Sequence, residues 1–100
     1  MNVESLDLTT SRGATTAYVA RPHTEADAGV ILIQEWWGIN GHIRDLAGRY
    51  ANEGYLCVAP DLFRGRVAAD PTEAAALMSA LAIEDGLETI RKAMDAAEKT

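Results

Sequence analysis

Cysteine is nearly absent: Cys57 stands alone, so no internal disulfide can form, and with only two histidines, His23 and His42, no close His pair completes a structural zinc site. Cationic residues are also few. Nine Lys and Arg against fifteen Asp and Glu leave a net charge of -6 at pH 7. Nucleic acid and anionic membranes are bound through a cationic surplus, so the charge argues against both as main partners. Long hydrophobic runs are missing too. The longest uninterrupted stretch of apolar residues is five, against the roughly 20 that a membrane helix needs. Met1 is followed by neither a basic segment nor an apolar run of the secretory type, and a cytoplasmic setting is expected. Prolines number three, nothing repeats at a fixed period, and the one compositionally biased patch, Ala74-Ala75-Ala76, is good helix material. One continuous domain over residues 1–100 is expected, with a modest core that stands without disulfide or metal.

What is present is a clear pattern of strands and helices. Residues 3–8 and 14–20 contain β-formers and flank the turn-prone Thr10-Ser11-Arg12-Gly13, which predicts a hairpin. Residues 21–29 lack apolar periodicity and predict a surface loop. Val30-Ile31-Leu32-Ile33 and Tyr55-Leu56-Cys57-Val58-Ala59 are continuous apolar runs of the kind found in strands covered on both faces. Between them Ile43, Leu46, Ala47, Tyr50 and Ala51 fall on one helical face, with Asn40 placed to cap the helix and Gly54 to end it. Strand, helix and strand at this spacing make a βαβ unit. Pro60 is expected to stop the second strand, and residues 61–66 to form a loop. Asp70, Pro71 and Glu73 together mark a helix start, and the helix they open shows Ala74, Leu77, Met78 and Leu81. A last helix carries Ile83, Leu87, Ile90, Met94 and Ala97 as a stripe, with Lys92 and Lys99 late in it, where the helix dipole favours cations. The class is α/β, with helices packed on a mostly parallel sheet.

Ligands of open parallel sheets gather at the carboxyl ends of the strands, and two loops leave such ends here, 34–40 and 60–66. The first, QEWWGIN, sets Glu35 directly after an apolar strand and beside Trp36 and Trp37. Partial desolvation there would raise its proton affinity toward the range useful for proton transfer, while a carboxylate that bonds backbone amides in a tight turn fits the same position. Arg64 in the second loop is placed to meet an anionic group of a substrate, or is simply solvated. Cys57 lies inside an apolar strand and reads as a small buried hydrophobe. Neither His23 nor His42 has an Asp or Cys partner that the sequence can place in space, so a triad is not supported. Gly38-Ile39-Asn40-Gly41 lacks the third glycine of a dinucleotide loop and follows two bulky tryptophans, which sets nucleotide binding aside. Neither a metal nor an organic cofactor is implied.

The run VILIQEWWGINGHIRDLAGRYANEGYLCVAPDLFRGR resembles the N-terminal part of the dienelactone hydrolase family. The matching elements are Gln34-Glu35, Gly38, Asn40, Ile43-Arg44-Asp45, Glu53-Gly54-Tyr55 and Pro60-Asp61-Leu62, and the resemblance spans residues 3–98. It implies an α/β-hydrolase three-layer sandwich. It also implies that Glu35 helps to deprotonate a nucleophile and that the backbone N–H of Trp36 forms half of an oxyanion hole. Gly38 and Asn40 would shape the turn, and Trp37 with Trp36 would wall a substrate pocket.

The family's nucleophile sits on a G-x-C-x-G elbow after the next strand, with its Asp and His later still, and residues 1–100 hold neither that motif nor G-x-S-x-G. Dienelactone-processing members place basic and aromatic groups in the segment aligned with 70–81, which here reads DPTEAAALMSAL. Two expectations follow. One is an ester or lactone hydrolase of which this chain holds the glutamate and half of the oxyanion hole, truncated, inactive alone and requiring a C-terminal half. The other is a non-catalytic module that forms homodimers through the sheet edge left open beside residues 30–33.

Overall fold

The computed structural model describes residues 1–26 and 28–98, so Lys99 lies outside the described residues. Strands β1 (Asn2–Thr10) and β2 (Gly13–Arg21) form the expected antiparallel hairpin, closed where Thr10 faces Gly13 across Ser11 and Arg12. Then come β3 (Gly29–Ile31), α1 (Gly41–Asn52), β4 (Leu56–Pro60), α2 (Pro71–Ala80) and α3 (Ile83–Glu98). The strands lie in the order β1-β2-β4-β3. Only β3 and β4 are parallel; β1 with β2 and β2 with β4 are antiparallel. The expectation of a mostly parallel sheet is thus corrected, because a single βαβ unit supplies one parallel pair and the hairpin adds two antiparallel ones. Pro60 stops β4 as expected, pairing opposite Ala17 as the last residue of the strand. At the end of a ladder its missing N–H does no harm.

The period of two along the strands divides the core. Ala17, Val19 and Val58 turn to one face, where Leu8 and the small residues Ala93 and Ala97 of α3 cover them. Ala20 and Cys57 turn to the other face, against Ala47 and Ala51 of α1, and Ala59 meets Ile39 and Ile43 beside them. The result is a three-layer arrangement, helix on sheet on helix, in the α/β class. Burying Val19 and Val58 stabilises it by roughly 1.5–3 kcal/mol each.

The helix ends follow their sequence signals. Asn40 Oδ1 accepts the Ile43 N–H, and the chain turns out of α1 at Gly54 with φ +97°, the left-handed region that favours glycine. Asp70 Oδ1 accepts the Glu73 N–H, with Pro71 at the start of α2. Packing departs from expectation more than the ends do. Helix α2 buries only Ala74, leaving Met78 exposed. In α3 the buried residues are Asp85, Gly86, Thr89, Ala93 and Ala97, of which Ala93 and Ala97 pack on the sheet, whereas Ile83, Leu87 and Met94 of the expected stripe are exposed. Small side chains let the helix approach the sheet closely, and the bulky ones are left outward. β3 is an edge strand, shorter than expected, and its pairing continues only through the Leu32 N–H bond to the Val58 carbonyl (2.9 Å).

Candidate active site

Beyond Leu32 the chain leaves the carboxyl end of β3 and enters a turn from Glu35 to Gly38, closed by the Gly38 N–H on the Glu35 carbonyl (3.2 Å). Gly38 has φ +98°, and a Cβ there would come within 2.6 Å of the Arg66 carbonyl oxygen, so the position requires glycine on two counts. Asn40 follows as the cap of α1. The turn is held at both ends by the loop after β4: Gln34 Oε1 accepts the Leu62 N–H (2.9 Å), and the Trp37 carbonyl accepts the Ala68 N–H (2.9 Å). Gln34 Nε2 is buried and has no hydrogen-bond partner among the described residues.

The Glu35 side chain is about 60% exposed, and its Oε1 lies 3.5 Å from His42 Nε2. The expected desolvation is therefore corrected: the carboxylate stands on the solvent side of its turn and the tryptophans do not enclose it. Trp36 is exposed, Trp37 is half-buried, and their rings pack on each other with centroids 5.2 Å apart at 56°. Sequence reasoning left His42 without a partner. Its place in the first turn of α1 brings it to Glu35, near the positive end of the helix dipole, which favours a carboxylate. The backbone N–H of Trp36 makes no hydrogen bond among the described residues.

No hydrogen bond or ion pair joins Arg64 to Glu35 among the described residues, and the arginine side chain is held by protein groups while 27% exposed. Its Nη2 meets Asp85 Oδ1 at 2.6 Å and Thr10 Oγ1 at 3.1 Å, and its Nη1 donates to the carbonyls of Gly13 and Ala14. These partners lie on the hairpin and on α3, far from Arg64 along the chain, where no local pattern points to them. Asp61, of the Pro60-Asp61-Leu62 element, is buried. Its carboxylate accepts the N–H groups of Phe63 (3.0 Å) and Gly65 (2.9 Å) and so shapes the 61–66 loop. Burial raises its pKa, and the backbone N–H groups oppose that shift. Cys57 is fully buried, and burial pushes its thiol up to about 11, so it is no nucleophile.

The helix-flanked sheet defines an α/β chain, and solved dienelactone hydrolases share its fold. The model of the dienelactone hydrolase family matches residues 15–100, and the chain belongs to that family. It is similar to Protein usf of Aquifex pyrophilus, 38% identical over 65 residues, which are 62% of this chain and 28% of that protein. It is also similar to a Salmonella typhi protein provisionally named carboxymethylenebutenolidase, 49% identical over 49 residues, or 47% of this chain and 18% of that one. A crystal structure of a provisionally named dienelactone hydrolase from Klebsiella pneumoniae superposes with a TM-score of 0.80 at 30% identity, over 98% of this chain and 44% of that one. A second solved structure, at 24% identity and a TM-score of 0.81, agrees in fold. The chain thus spans less than a third of these curated relatives and less than half of the solved structures. Among the described residues, no helix is long and apolar enough to cross a membrane.

Proposed function

We propose that the chain supplies the proton-accepting and oxyanion-binding half of a cytoplasmic hydrolase that cleaves an ester or lactone through an acyl-enzyme. The observation that carries this reading is the placement of Glu35 and the Trp36 N–H on one turn at the carboxyl end of β3, beside the start of α1. A thiol or hydroxyl presented there passes its proton to the Glu35 carboxylate as it attacks the substrate carbonyl. The oxyanion that forms accepts a hydrogen bond from the Trp36 N–H. Such a base contributes about 10²–10⁴ in rate, and one oxyanion donor about 10²–10³. Trp36 and Trp37 offer an apolar wall for the acyl or alcohol part. Residues 70–81 carry neither a basic nor an aromatic side chain, which favours a neutral ester over a substrate with its own carboxylate. The nucleophile is not among residues 1–100, where both elbow motifs are lacking. The purified 100-residue chain is expected to hydrolyse a p-nitrophenyl ester no faster than buffer. Turnover that persists through purification and disappears in Glu35→Ala would overturn the assignment of the nucleophile to another segment.

A second reading has its own observation. β3 is paired on one side only, and an apolar groove of about 290 Å³ lies between it and α3, lined by Val30, Ile31, Val58, Met94 and Ala97 among others. Ile33, Ile83 and Leu87 are exposed as well. An open apolar edge of this kind is a template for a second copy of the chain.

A further inference from the structure

We propose that Arg64 and Asp85 form a positioning clamp for the Glu35–Trp36 turn, acting through the loop after β4. Arg64 is the one non-glycine with positive φ (54°) among the described residues, and it is followed by Gly65 at φ +89°. A side chain in that region persists only where its surroundings fix it. Two sets of bonds fix it here. Inside the loop, the Asp61 carboxylate accepts the N–H groups of Phe63 and Gly65 on either side of Arg64. Outside it, the guanidinium spans the gap to Asp85 Oδ1 (2.6 Å) in the first turn of α3, to Thr10 Oγ1 (3.1 Å), and to the Gly13 and Ala14 carbonyls of the hairpin (3.1 and 3.3 Å). The planar fork serves several acceptors at once, a geometry that lysine cannot reproduce. The pair is largely sheltered from water, with the two side chains 27% and 10% exposed, so salt screens it weakly.

The loop so anchored is the frame of the site. Leu62 and Ala68 donate to Gln34 and Trp37, the residues on either side of Glu35-Trp36, and the Arg66 carbonyl lies close against Gly38. A shift of the loop therefore moves both ends of the turn and re-aims the Trp36 N–H. Among the described residues Arg64 makes no bond to Glu35 and reaches the turn only through the loop, so it acts as a positioning residue. Its consequence for catalysis rests on the hydrolase reading; its consequence for the turn does not.

Trp36 and Trp37 are the only tryptophans, and both lie in the turn, so their near-ultraviolet circular dichroism reports on it directly. The expected result for the 100-residue protein is that Arg64→Gln and Asp85→Asn each lose at least half of the tryptophan band while the far-ultraviolet spectrum is retained. Arg64→Lys should recover part of the band. Arg21→Gln, which breaks the exposed pair with Glu4 (2.8 Å), should leave it unchanged. An undiminished band in folded Arg64→Gln or Asp85→Asn overturns the clamp, as does an equal loss in Arg21→Gln. If neither clamp variant folds, amide exchange in the unaltered protein decides. Leu62 and Ala68 should show protection within about threefold of each other if the loop opens as one unit. Protection that differs more than tenfold would contradict it. Because none of these readouts uses turnover, a chain that never completes an esterase leaves the test intact.

Discussion

Asp61 and Glu88 show how single carboxylates tie this chain to pH in opposite directions. Burial raises the Asp61 pKa above its ordinary value. The folded state then holds a proton that the unfolded state has released, so stability falls as pH rises from the ordinary carboxylate range through the raised value. Glu88 is lowered by its bonds from the Ser11 hydroxyl and N–H, and its contribution is lost as pH falls through that lowered value. Comparing wild type with Asp61→Asn in urea unfolding cancels Glu88. The excess stability of wild type over the variant should decrease as pH rises through and above the ordinary carboxylate range, and an increase would contradict the assigned burial effect. At this scale the candidate site was half legible. Glu35 was found because it follows an apolar strand and matches a family motif. Its partner His42 and the ties of Arg64 were not, since Thr10, Gly13 and Asp85 stand 54, 51 and 21 residues from Arg64 along the chain.

The elements were far more legible than their faces. Caps are local chemistry, so Asn40 and Asp70 announced α1 and α2, and both side chains accept the N–H three residues on. Their loss should nonetheless differ. Helix α1 buries Ile43, Ala47 and Ala51 in the core, so Asn40→Ala should lower global stability by about 1 kcal/mol. That corresponds to roughly 4–8 °C in Tm for a domain of this size. Helix α2 buries only Ala74, so Asp70→Ala should fray it, reducing ellipticity at 222 nm with little change in Tm. Equal Tm losses in the two variants would show that α2 is more tightly coupled to the core than its exposure implies. In α3 two stripes share the helical period, one bulky and one small. Periodicity alone cannot choose between them; packing on the sheet selects the small stripe, through Ala93 and Ala97.

For the whole molecule, what the chain lacks is as informative as what it holds. No disulfide supports it, so its stability rests on two thin cores on either side of a four-stranded sheet. The sheet ends at β3 with an apolar groove beside it, and a second copy is the occupant of the second reading. Sedimentation should show a dimer at high micromolar concentration, and a well-folded monomer there would remove that reading. The layer order was legible from the succession of hairpin, βαβ unit and helices. The balance of parallel and antiparallel pairs was not, because it depends on where β2 docks, a long-range choice. The central claim is that Glu35 is the proton acceptor of an ester-hydrolysing site completed by residues beyond these 100. It is tested most directly by joining residues 1–100 to the part of the Klebsiella pneumoniae relative that the chain does not cover, and measuring kcat/KM on a p-nitrophenyl ester with Glu35 and with Glu35→Gln. A loss of at least about 10² in the glutamine variant, at unchanged fold, is the predicted result. Equal turnover in the two proteins would contradict it.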